Sequence, residues 1–192
     1  MSFPVTLTRD DMDALGTPDM LPLRQKVDAA PGRALELRGP GVPAALSRPG
    51  RFRVLRDGTG GQILACNGLA LAEAQHLLRQ VYGASITFAG PTVHTLLDHA
   101  SGTVLVPMMF LHIDAPRACR KDLLQLLARR SADEGAITLE RQRVVVRAEL
   151  PLARLIGVER DVLERTDGAA QVLCWLARYG PAPGHAPEAS QP

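Results

Sequence analysis

Apolar and polar positions are patterned most clearly in the second half of the chain. "MMFLHIDA" (108–115) is a short apolar run bounded by a proline, which predicts a buried strand. "PRACRKDLLQLLARR" then sets Cys119, Leu123, Leu126 and Leu127, with Arg130 beyond, along one face at helical spacing. Pro116 is expected to open that helix at its first position, where a missing N–H costs nothing. "SADEG" ends it. "GAITLERQRVVVRAEL" (135–150) alternates apolar and polar residues and predicts a hairpin turning near Arg141-Gln142. "PLARLIGVERDVLERTDG" (151–168) reads as a short helical segment closed by Gly168, and "AAQVLCWLARY" (169–179) as a last strand.

The first half carries part of the same pattern. "RFRVLRD" (51–57) and "GQILACN" (61–67) predict a hairpin around Asp57-Gly58-Thr59-Gly60. "GLALAEAQHLLRQVYG" (68–83) predicts a helix whose face is Leu71, Ala74, Leu78 and Val81, ended by Gly83. "ASITFAG" (84–90) follows as a strand. Completing this unit needs a strand and a helix before Arg51. "LPLRQKVDA" (21–29) or "RALELRG" (33–39) supplies the strand, and Pro40 and Pro43 interrupt any long helix after it.

Each half therefore reads as β-α-β-β-α-β, and the fold class is α+β with two tandem ferredoxin-like (βαββαβ) domains. The expected organisation is an unplaced extension over 1–20, a first domain over 21–98, a linker over 99–106, a second domain over 107–180 and a disordered tail over 181–192. "PVTLTR" and the residues after Thr8 offer a strand and a short helix within the extension.

Composition narrows the function classes. Of 192 residues, 46% are hydrophobic, enough for a real core in each half. The net charge is +2, with arginine supplying nearly all the positive side, since Lys26 and Lys121 are the only lysines. Cys66, Cys119 and Cys174 are an odd count in separate apolar stretches, which predicts free thiols in a reducing, cytoplasmic setting. No apolar run reaches the roughly 18 residues needed to span a bilayer, so no membrane partner is expected.

The chemistry that is missing is informative. No glycine is followed by lysine, so the chain holds no phosphate-binding P-loop. It has no Cys-x-x-Cys and no His-Glu-x-x-His, and no metal or other cofactor is expected. His94, Asp98 and His99 cluster in "VHTLLDH", but in a segment that reads as a solvated strand end or linker. Cys66, His76 and Asp57 are the residue types of a nucleophile triad, yet an apolar-flanked cysteine behaves as a small hydrophobe. The chain is thus expected to be no enzyme. A βαββαβ unit also suggests base stacking on sheet aromatics. "RVVVRAEL" has no aromatic residue, which disfavours that mode.

"ELPLARLIGVERDVLERTDGAAQVLCWLARYGPAP" resembles the C-terminal domain of elongation factor G and its eukaryotic counterpart, whose run reads V-P-L-A-x-x-F-G, D-L-R, T-x-G-x-A and an apolar strand before H-Y. Pro151, Leu152, Ala153, Gly157, Asp161, Thr166, Gly168, Ala170 and Tyr179 stand at matching positions. Pro107, Met109, Pro116, Leu127, Arg129 and Arg130 match upstream. The first half is similar to domain III of that family through "FRVLRDGTGGQI", Gly68, Glu73, Gly83, Gly90, Pro91 and Val93. The motif residues carried over as structural are Gly68, Gly83, Pro91, Pro151, Gly157, Thr166 and Gly168.

The departures shape the functional expectation. The family's GTPase domain and following barrel have no counterpart in these residues, and only "HASGTVL" stands where its domain IV lies. Leu69, Ala70 and Leu71 replace Glu, Leu and His. Leu96-Leu97 replace Arg-Glu, while Leu163 and Ala169 replace arginines. The resemblance implies a translation-related, non-GTPase protein that contacts the ribosome through rRNA or ribosomal protein, with no role on DNA. Arg117, Arg120, Lys121, Arg129, Arg130, Arg141, Arg143 and Arg147 are the candidate RNA-binding contacts. Two other classes stay open: a protein-interaction module, including a homodimer, and a small-molecule sensor built from paired βαββαβ domains.

Overall fold

A computed structural model describes residues 20–31, 42–57, 60–130, 136–139 and 142–182. The chain divides between Thr92 and Val93 into two units. The extension over 1–19, "RALELRG", Gly58, Thr59, Arg141 and the tail from residue 183 lie outside the described residues.

In the first unit, β1 is Leu23–Ala29, α1 Val42–Ala45, β2 Phe52–Asp57, β3 Gly60–Ala65, α2 Gly68–Tyr82 and β4 Ile86–Phe88. The sheet runs β2-β3-β1-β4 with each pair antiparallel. Numbered from the first strand, that is the 4-1-3-2 order of a ferredoxin-like sheet, read from its other edge. "LPLRQKVDA" thus supplies the strand. The helix after it shrinks to one turn, α1, with Pro43 in its first turn, where proline is tolerated. A further two-residue strand, β5 (Thr92–Val93), lies at the division and pairs β1.

Alternation sets the core of this unit. Leu23 and Val27 of β1, Phe52 and Val54 of β2, and Ile63 and Ala65 of β3 are buried with Ala70, Leu71, Ala74 and Leu78 of α2. Asn67 caps α2, its side-chain oxygen accepting from the Ala70 N–H at 2.9 Å. Gln25 is a buried polar exception on β1. Its amide donates to the Ala89 carbonyl at 2.7 Å, and its oxygen accepts from the Gln75 amide at 2.7 Å. Val81 does not join the core as expected, being 55% exposed. At 100° per residue it points between Ala70 and Ala74, which are buried. Its exposure therefore follows from its place in the last turn, before Gly83 ends the helix.

In the second unit, β6 is Leu96–Leu97, β7 Val104–Pro116, α3 Arg120–Arg129, β8 Ala136–Leu139, β9 Arg143–Pro151, α4 Leu152–Leu155, α5 Val158–Arg165 and β10 Gln171–Pro181. The sheet runs β10-β7-β9-β8, again 4-1-3-2 and antiparallel throughout. Both units thus have the expected α+β, ferredoxin-like build.

Three elements differ in extent from the sequence reading. Pro116 ends β7 in an extended conformation and is followed by a 3-10 turn, Arg117–Cys119, so α3 starts only at Arg120. The single helical segment expected over 151–168 is split into α4 and α5 at Gly157, whose φ of +83° is left-handed. Residues 99–106, read as a linker, fall in a hairpin: Leu96 pairs Leu105 and Leu97 pairs Val104 across a turn at 98–103.

Met109, Leu111, Ile113 and Ala115 of β7 and Val144, Val146, Ala148 and Leu150 of β9 point to the helix side. Leu123, Leu126 and Leu127 of α3 and Val158 and Val162 of α5 are buried in the same layer. Cys119 is half-buried at the end of that stripe, Cys66 is likewise half-buried, and Cys174 is buried; none of the three is in a disulfide.

Candidate nucleic-acid interface

The candidate contacts of the second unit fall on two opposite faces. Helices cover one side of the sheet, so side chains alternate between the helix layer and an open face. Arg117 belongs to the 3-10 turn and Arg120, Lys121 and Arg129 to α3. All four are exposed, while the leucines of α3 point inward. Asp122 is the only carboxylate within α3. The outer surface of this helix is therefore a cationic strip. Arg160 and Arg165 of α5 are also exposed, with Arg160 held 3.6 Å from Glu164 one turn on.

Arg130 is not part of that strip. Its guanidinium meets Asp161 at 3.1 Å and donates to the carbonyls of Ile156 at 3.2 Å and Arg154 at 3.4 Å. It fastens the end of α3 to the break between α4 and α5, where peptide groups have left the helical ladder. Arg143 is also engaged within the fold, bound to Asp114 at 2.7 Å and to the Asp114 carbonyl at 3.1 Å. Arg147 is exposed on β9 but on the open sheet face, opposite His112, so the helix strip and the hairpin do not form one surface. Arg141 lies outside the described residues.

The structural motif residues sit where the chain changes direction. Thr166 is buried beyond the end of α5; its hydroxyl donates to the Val162 carbonyl at 2.8 Å and accepts from the Ala170 N–H at 3.3 Å. Asp167 and Gly168 follow with φ of +48° and +75°, and the Gly168 N–H bonds the Leu163 carbonyl at 2.8 Å. Thr-x-Gly-x-Ala is thus a helix stop that aims the chain into β10. Pro151 ends β9 and leads into α4, and Gly157 leads into α5. In the first unit, Gly68 opens α2, Gly83 closes it with φ of +56°, and Pro91 is exposed between β4 and β5.

The weaker chemical candidates separate in space. Asp57 and Cys66 stand at opposite ends of the β2–β3 hairpin, since Asp57 pairs Gly60 while Phe52 pairs Ala65. They are on the order of 15 Å apart at the rise of a strand, too far for a triad with His76. Among the described residues no group of His, Cys, Asp or Glu could hold a metal ion. Asp98 instead shapes the hairpin turn: its carboxylate accepts from the Ser101 hydroxyl and from the Ala100 N–H at 3.0 Å. Those bonds, the hydroxyl first, hold its pKa below the usual aspartate range. His94 meets the Tyr179 ring edge-on at 6.3 Å. No helix of the described residues is long and apolar enough to cross a membrane.

Sequence reasoning missed the open face of this sheet. It weighed β9 alone, which has no aromatic residue, and discounted base stacking. Phe110 of β7 and Trp175 of β10 are direct cross-strand partners, with ring centroids 4.7 Å apart. The alternation of "MMFLHIDA" and "AAQVLCWLARY" was the available signal, because Phe110 and Trp175 each lie out of phase with the buried positions.

Elongation factor G C-terminus is the family that matches, over residues 103–190. No curated protein matches the sequence. A crystal structure of a protein from Thermus thermophilus is similar in fold, with a TM-score of 0.55 at 16% identity. That similarity covers 84% of this chain but only 41% of the other, so the chain spans less than half of the solved relative. Residues 103–190, a little under half of the chain, match the elongation factor G C-terminus family, and the described part of that stretch has the 4-1-3-2 sheet with one helix layer and the Thr-x-Gly-x-Ala stop.

Proposed function

We propose that this chain is a translation-related, cytoplasmic binding protein that associates with the ribosome through the helix layer of its second unit. The observation that carries the reading is the cationic strip of Arg117, Arg120, Lys121 and Arg129 on a domain of a translation-factor family. Arginine and lysine on one helix face contact phosphates without reading sequence, and such binding falls steeply with salt. The 192 residues carry no P-loop motif, and on this reading the chain is a binder rather than a GTPase.

Co-sedimentation with ribosomes tests the reading. The chain pellets with ribosomes at low salt and is released at high salt, and Arg120→Glu with Lys121→Glu abolishes pelleting. Absence of the chain from the pellet at low salt contradicts it.

A second reading has its own observation. Leu97 and Val104 are cross-strand partners at the 96–105 hairpin, and each is more than half exposed. Such an apolar pair favours a protein partner or a second copy of the chain. It predicts an association that survives high salt and is lost in Leu97→Ser.

A further inference from the structure

The open face of the second unit's sheet is organised in rows. Trp175, Phe110 and Glu149 lie side by side across β10, β7 and β9. The next row holds Leu173, His112 and Arg147, and Gln171 follows beyond Leu173. Trp175 and Leu173, on the edge strand β10, are 47% and 45% exposed. The Phe110 and Trp175 rings are tilted by 36° and form one apolar platform.

Charge frames this platform. Arg178 reaches across β7 to Glu149 at 2.8 Å, and Arg143 neutralises Asp114 at 2.7 Å. Both described carboxylates of the face are thereby occupied. Among the described residues Arg147 forms no ion pair, and the three described arginines of the face, Arg143, Arg147 and Arg178, outnumber its two described carboxylates.

We propose that this face binds single-stranded RNA, with a base stacked on Phe110 and Trp175 and a phosphate met by Arg147. Aromatic rings on an open sheet accept any unpaired base through its π face, whereas a duplex keeps its bases stacked inside. The excess of described cations on the face suits an anionic ligand, and the exposed rings beside it suit one that also carries flat bases. The imidazole of His112 and the amide of Gln171 are placed to hydrogen-bond a base edge or a 2′-hydroxyl, the group that separates RNA from DNA. The site is distinct from the helix strip and does not depend on it.

Trp175 is the only tryptophan of the chain, so its fluorescence reports this face alone. The experiment titrates the full chain with oligoadenylate and oligouridylate RNA of about eight nucleotides, a length that fits a single small domain. Saturable quenching of Trp175 is expected, matched by anisotropy of labelled RNA. Phe110→Ala weakens binding by roughly tenfold or more. Phe110→Leu, which keeps apolar volume, weakens it nearly as much, and Phe110→Tyr retains it. Arg147→Ala lowers affinity several-fold and reduces the salt dependence by about one unit of slope. The helix variant Arg120→Glu with Lys121→Glu still shows quenching even where ribosome pelleting is lost, so failure of either proposal is read separately.

Any of four results overturns the proposal: no quenching and no anisotropy change; binding unchanged in a folded Phe110→Leu protein; equal affinity for duplex RNA or single-stranded DNA; or a concentration-dependent dimer that Trp175→Ser abolishes.

Discussion

The Arg130 guanidinium lies 3.1 Å from the Asp161 carboxylate and also donates to the carbonyls of Arg154 and Ile156. An arginine that sequence alone groups with its neighbour Arg129 as an RNA contact is thereby a clamp between α3 and the α4–α5 break. Arg130→Ala is expected to lower unfolding stability by about 1–2 kcal/mol, the cost of leaving partly buried carbonyls and a carboxylate without their donor. Denaturant melts read this directly. Arg129→Ala, on the exposed side, leaves the melt unchanged.

The turn after α5 depends on two residues. Gly168 has φ of +75°, and Gly168→Ala costs roughly 1–2 kcal/mol because a Cβ resists the left-handed region. Thr166→Val preserves the shape but removes the hydroxyl that serves Val162 and Ala170, and costs about 1 kcal/mol. Urea titrations at constant m check both values.

Leu123 is fully buried in the helix layer of the second unit. Leu123→Ala leaves a cavity and destabilises by about 2–5 kcal/mol. The same change at Leu97, which is 53% exposed, leaves the melt nearly unchanged.

Asp98 titrates below the usual aspartate range because its ionised form accepts hydrogen bonds from Ser101 and Ala100. A group with a depressed folded value adds stability above its unfolded value, near 3.9, and loses that stability as pH falls through the folded value. The turn over 98–103 therefore loosens only at strongly acid pH. A carboxyl NMR titration shows the low midpoint, and Ser101→Ala moves it upward.

Much of this fold is written in side-chain periodicity. Strand alternation in "RFRVLRD" and "RVVVRAEL" and the helical stripe from Leu71 to Leu78 lead to the observed sheets, because burial of one face fixes both period and register. Ends were harder to read. Whether Pro116 starts a helix or ends a strand depends on φ and ψ that proline permits in both, and Gly157 breaks a segment whose apolar spacing continues on either side. The site was legible only as a list of cations. Arg117, Arg120, Lys121 and Arg129 are all exposed, with Arg120 and Arg129 about half a turn apart on the two flanks of α3. Arg130 and Arg143 are drawn inward by Asp161 and Asp114, partners 31 and 29 residues away in sequence that no local pattern reveals. The Phe110–Trp175 pair joins positions far apart in the chain, so it becomes visible only once β10 is laid beside β7.

Salt-resolved co-sedimentation of the full chain with purified ribosomes tests the central claim most directly. The account predicts a chain that pellets at low salt, leaves the pellet as salt rises, and fails to pellet when Arg120 and Lys121 are both changed to glutamate. A chain that stays in the supernatant at low salt, or pellets equally well with those charges reversed, would contradict it.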